Sequence, residues 1–110
     1  VEEVVRETGL NMEEISLEWI LAFEASYSSP EDEIVRLTVA NAHAITGLEI
    51  EANASAGSTD TRLWWRRGIP AVVYGTNAPN VAAPDEWVSA TEFRDVIKVH
   101  AATVVDYLCD

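Results

Sequence analysis

Gly68-Ile69-Pro70-Ala71-Val72-Val73-Tyr74-Gly75 is the stretch on which the reading of this chain turns. A proline opens a run of four apolar or aromatic residues, and a glycine stands at each end. The run is too short for a helix and does not alternate. A continuous apolar run of this kind suits a strand covered on both faces, as in a parallel sheet. Such a strand needs helices above and below it, so the flanking sequence is read for helices next.

Downstream, residues 75–85 form a loop rich in Gly, Pro and Asn, which leads to Ser89 and Glu92. That pair has the spacing of a capping box. Phe93, Val96, Ile97, His100, Val104, Tyr107 and Leu108 then recur at helical spacing and predict a long terminal helix. Upstream, Gly57-Ser58-Thr59-Asp60 reads as a turn feeding a short helix through Arg66 or Arg67, closed by Gly68. Residues 48–54 alternate weakly and read as a strand. Ser29-Pro30 followed by Glu31, Asp32 and Glu33 reads as a helix start: Ser29 caps, Pro30 takes the first helical position, and the carboxylates meet the positive end of the dipole. That helix runs to about Thr46 and stops at Gly47. Residues 15–23 alternate through Ile15, Leu17, Trp19, Leu21 and Phe23, which predicts a strand with one buried side. Residues 1–9 predict a short helix with Val1, Val4 and Val5 on one face and Gly9 as its stop. The alternation of helix and strand predicts an α/β fold, a layered sheet with flanking helices.

The 110 residues are the length of one compact domain. Seven basic and nineteen acidic residues give a net charge of −12, which argues against nucleic acid and anionic membranes as partners. No apolar run approaches the roughly 18 residues of a membrane span. The start, Val1-Glu2-Glu3-Val4-Val5, is unlike a secretory signal or transit peptide, and its lack of Met hints at a longer natural product. Cys109 is the single cysteine, so the chain has neither an internal disulfide nor a cysteine-based zinc cage. The expected location is the cytoplasm. Asn53-Ala54-Ser55 spells a glycosylation acceptor, though nothing else in the sequence points to secretion.

Gly57-Ser58-Thr59-Asp60-Thr61-Arg62-Leu63-Trp64, the Gly68–Gly75 stretch and Ala83-Pro84-Asp85-Glu86-Trp87-Val88, followed by a long helix, stand in one order. In this the chain resembles the closing segment of the acetylornithine deacetylase, succinyl-diaminopimelate desuccinylase, aminoacylase and carboxypeptidase G family of zinc metallopeptidases. The resemblance is good over about residues 28–110 and faint over 1–27. It implies that residues 1–26 are the tail of a lid or dimerisation domain and that residues 27–110 are the C-terminal part of a zinc-exopeptidase catalytic domain. It also implies a parent that uses zinc or another divalent metal to cleave N-acyl amino acids or small peptides. The family's first histidine ligand, bridging aspartate and paired glutamates belong to a half of the catalytic domain outside this stretch.

Gly57, Ser58, Thr59, Asp60 and Arg62 are the candidate substrate-binding residues. Backbone N–H groups at a helix start favour a carboxylate, and Gly57 allows close approach. The resemblance places this turn over the active site, touching the substrate carboxylate. The competing reading is a plain cap before a solvated helix.

Where the family carries its last histidine ligand, just ahead of Asp85 and Glu86, this chain has Pro79, Asn80, Val81, Ala82 and Ala83, none of which offers an imidazole. No catalytic residue and no metal ligand is assigned, and no metal is expected on this chain alone. His43 and His100 read as core-edge residues, Trp64 as packed under the sheet, and Arg66 and Arg67 as partners for carboxylates.

The leading expectation is thus a segment of a metal-dependent amidohydrolase, inactive alone, whose substrate would be a small N-acyl amino acid or peptide. Its rivals are a non-catalytic α/β module for a small carboxylate or a partner protein, and a short product that pairs with another chain at an open sheet edge, as an oligomer or with the N-terminal half it lacks.

Overall fold

The computed structural model describes residues 2–9, 18, 20–55 and 57–109. Four helices form: α1 (Glu2–Glu7), α2 (Glu33–Thr46), α3 (Thr61–Trp65) and α4 (Ala90–Leu108). Among the described residues there is no strand and no sheet, so the expected α/β layered sheet is corrected to a helical fold with long irregular connections. Residues 15–17 and 19 of the first expected strand lie outside the described residues. The rest of it is not buried: Ile20 is 91% exposed and Leu21 68%. Residues 48–54 and 71–74 likewise form no ladder: Leu48 is a bend and the others are irregular. In place of ladder bonds, the amide of Ala71 donates to Ser28 Oγ at 2.9 Å.

The core is one helix pair, α2 against α4. Val35, Thr38 and Ala42 are the buried residues of α2, and Val96, Val99 and Thr103 those of α4. Both sets follow the same i, i+3, i+7 spacing, which places three side chains on one face of a helix. Ala42 and Val99 are fully covered. The two threonines sit in this apolar seam without cost where a partner is at hand: Thr38 Oγ1 donates to the Ile34 carbonyl at 2.7 Å. At the far end Asn41 Nδ2 donates to Asp106 Oδ2 at 2.8 Å and fixes the register of the pair.

The helix ends show why local signals were readable. Gly9, Gly47 and Gly68 all adopt left-handed φ, between 70° and 73°. Gly47 donates its N–H to the His43 carbonyl at 2.8 Å, which closes α2 where the sequence places the stop. Ser89 caps α4 as expected and accepts from the Glu92 amide at 3.4 Å. The start of α2 differs. Its cap is Asp32, and residues 29–32 form a separate turn in which Asp32 Oδ2 accepts from the Ser29 amide at 2.8 Å. The carboxylate reaching back to Ser29 holds that turn, so the helix begins beyond Pro30.

Candidate functional site

Phe23, Thr59 and Arg62 meet at an open cleft of about 1020 Å³. Its lining includes Val35 and Thr38 of α2 and the irregular segments around residues 23–28, 50–55 and 71–74. Gly57, Ser58, Thr59 and Arg62 all line it, so the structure brings four of the five candidate residues to one cavity. The fifth, Asp60, is joined through an ion pair: Arg62 Nη1 lies 3.1 Å from Asp60 Oδ1.

Arg62 is held from three sides. Its Nη1 also donates to the Thr59 carbonyl. Its guanidinium carbon stands 4.2 Å above the centroid of the Phe23 ring, a cation–π arrangement. The side chain is only 19% exposed, while that of Asp60 is 85% exposed. Arg62 Nε is buried and has no hydrogen-bond partner among the described residues. An unmet buried donor on a cation costs stability, and an acceptor that reached it would recover that cost.

The turn itself is built by hydroxyls. Thr59 Oγ1 accepts from the Thr61 amide at 3.2 Å and shares a short hydrogen bond with Thr61 Oγ1. Ser55 Oγ accepts from the Gly57 amide at 3.1 Å. Asp60 occupies the cap position of α3 but makes no side-chain capping bond. Because α3 has five residues, its dipole adds little; the positive charge at this site is that of Arg62, and Glu24 and Glu51 bring negative charge to the same lining.

Both histidines have a role that sequence spacing did not show. His43 Nδ1 bonds the Leu48 carbonyl at 2.8 Å, and His100 Nε2 bonds the Tyr74 carbonyl at 3.0 Å. Each ties an irregular connection to a helix. Tyr74 also packs edge-on to His100, and its hydroxyl is raised above its ordinary pKa by burial, then by the negative charge of Glu92 and Asp95. Glu92 Oε1 accepts from the Asn77 amide at 2.7 Å, so the capping-box carboxylate secures the loop instead of its own helix. Phe23 was read as a strand residue. Its contact with Arg62 bridges positions distant in the chain, and no local pattern announces it.

Two further expectations are corrected. Trp64 is 56% exposed and packs under no sheet. Arg66 and Arg67 form no ion pair among the described residues; Arg67 Nη1 donates to the Leu63 carbonyl at 3.2 Å.

The cleft thus sets one cation, Arg62, among hydroxyls, apolar side chains and the carboxylates of Glu24 and Glu51. The chain belongs to peptidase family M20/M25/M40, whose family model matches residues 2–106. Comparison with curated proteins and with solved structures gives no match. Members of this family are generally metal-dependent. Among the described residues no group of three or more His, Cys, Asp or Glu side chains could hold a metal ion. His43 and His100 are engaged with backbone carbonyls, and Cys109 lies exposed at the end of α4. This donor set does not fit a family metal centre, which takes at least three converging protein ligands. No described helix is long and apolar enough to cross a membrane.

Proposed function

We propose that this chain supplies the substrate-side turn of a metal-dependent amidohydrolase acting on N-acyl amino acids or small peptides, and that it is not catalytic by itself. The observation that carries this reading is Arg62: a mostly buried cation in a cleft, clamped by Phe23 and Thr59, with a buried donor unmet. A substrate carboxylate is the natural partner for such a group. The metal and the general base would come from residues outside the described set, since the donors within it do not converge. On this reading the substrate carboxylate meets Gly57, Ser58, Thr59 and Arg62, Asp60 takes part as the ion-pair partner of Arg62, and residues 27–110 form the closing part of a catalytic domain.

The same donor set favours a second reading, a non-catalytic module that binds a small carboxylate. Both readings require carboxylate binding, and one experiment tests it. N-acetyl-L-leucine is expected to raise the melting temperature of the chain, because a ligand of the folded state stabilises it by mass action. Arg62→Ala is expected to abolish the gain, and Thr59→Ala to reduce it. An equal response from parent and both variants refutes the site. Hydrolysis of N-acetyl-L-leucine by the chain with added zinc would overturn the statement that it is not catalytic alone.

A further inference from the structure

Resting on the reading just given, we infer that the cleft selects ligands with a single carboxylate, and that Asp60 is the residue that enforces the choice. The argument is one of charge. Arg62 is the one cation among the cleft-lining residues, whereas Glu24 and Glu51 bring carboxylates to the same walls. Arg62 is already shared with Asp60 at 3.1 Å. One ligand carboxylate can therefore be met by the guanidinium; a second has no cation to meet it and faces Glu24 and Glu51 in the lining, with the Asp60 carboxylate beside the guanidinium at the cleft's edge. Like charges gathered in one cleft repel measurably even where solvent screens them. The rest of the lining is neutral: Phe23, Val39, Ile50 and Val72 are apolar, and Ser28 and Ser55 offer hydroxyls. An uncharged acyl group and an uncharged amino-acid side chain suit these walls, whereas a succinyl group, or an aspartate or glutamate side chain, does not.

Asp60 can be removed without dismantling the site. It makes no capping bond to α3, and Arg62 keeps its contacts to the Thr59 carbonyl and the Phe23 ring. Asp60→Asn thus deletes a negative charge beside the ligand and leaves the cation in place. Its effect is on selectivity, which a purely structural role would not move.

The test measures Kd by calorimetry for N-acetyl-L-leucine, with one carboxylate, and N-acetyl-L-glutamate, with two, on the parent chain, Asp60→Asn and Glu51→Gln. N-acetyl-L-leucinamide, which has no carboxylate, is the control. The parent is expected to favour the leucine compound by about fivefold, the effect of one unmatched charge near the surface. Asp60→Asn is expected to narrow that ratio to about twofold, Glu51→Gln to narrow it less, and 1 M salt, where screening acts over about 3 Å, to close it. If the parent binds both acids equally, or the glutamate compound more tightly, the selectivity inference fails while the carboxylate site stands. A ratio unchanged in Asp60→Asn removes Asp60 from the role. If neither acid binds, or the amide binds as well as the acid, the carboxylate reading itself falls and takes this inference with it.

Discussion

Tyr74 and Ser89 show how single side chains set the stability of the regions they join. Burial and the carboxylates of Glu92 and Asp95 raise the Tyr74 hydroxyl, so the folded chain prefers the neutral phenol more than the unfolded chain does. A group raised in this way contributes stability that is fully present below its unfolded value, near 10 for a tyrosine, and lost as pH climbs through the folded value. Urea titrations at rising pH are expected to show a loss of stability beginning near pH 10, and Tyr74→Phe is expected to lose less over the same range. An identical slope in both proteins would assign the alkaline loss elsewhere. Ser89 acts through one bond, accepting from the Glu92 amide. Ser89→Ala is expected to cost about 1 kcal/mol, the usual value of a hydroxyl cap, and circular dichroism of the thermal melt reads the loss. The cap and the glycine stops were legible in the sequence because each acts over a few residues. The stacking of Phe23 on Arg62 was not, because it joins segments on opposite sides of α2 in the chain.

Among the elements, helices and strands fared differently for a physical reason. A helix closes its hydrogen bonds within its own segment, so periodicity and caps suffice to announce it. A strand bonds only to another segment, and apolar composition reports the need for burial without naming the partner. Residues 69–74 carry the composition of a covered strand, yet Val73 is 62% exposed and Ile69 45%. The α2–α4 pair, by contrast, meets its own requirement through matched stripes of three residues. Val99 is fully covered at its centre. Val99→Ala is expected to destabilise the pair by roughly 2 kcal/mol, through lost transfer energy and an unfilled space. The neighbouring exposed position Ile97, 53% accessible, serves as the control: Ile97→Ala is expected to change stability by no more than about 0.5 kcal/mol. If the two substitutions cost the same in a urea melt, the packing of α4 against α2 is not the core. The glycine, hydroxyls and arginine of the 57–62 turn are adjacent in sequence, so their gathering at one cleft needs no long-range contact. The reasoning behind it changes, however: a side-chain cation, and not the dipole of a five-residue helix, carries the charge.

Taken whole, the chain exposes more surface than a compact protein of its size. Its accessible area is 9065 Å², against about 6,000 Å² for a folded monomer of the same mass. Its radius of gyration is 19.5 Å, where about 13 Å is usual at this length. Much of the excess is apolar. On α4, Phe93, Ile97, Val104 and Leu108 follow helical spacing on a face turned away from α2, and all are more than half exposed. A solvated apolar stripe of this length has no stabilising function in water, so the isolated chain has three courses open: to stay extended, to self-associate, or to compact further. Self-association sets chains of charge −12 against one another, a repulsion that weakens with salt. Small-angle scattering on a dilution series in low and high salt separates the three. The expected result is a radius near 19.5 Å in dilute low-salt solution, with association appearing as salt rises. A radius near 13 Å at every salt concentration would mean that the chain covers its own apolar face. It would then be a self-sufficient module, and the carboxylate-binding reading without catalysis would replace that of an amidohydrolase segment. An extended chain that binds a hydrophobic dye such as ANS, and loses that signal only when further polypeptide of the same enzyme is supplied, would instead tie the exposed face to completion of the enzyme.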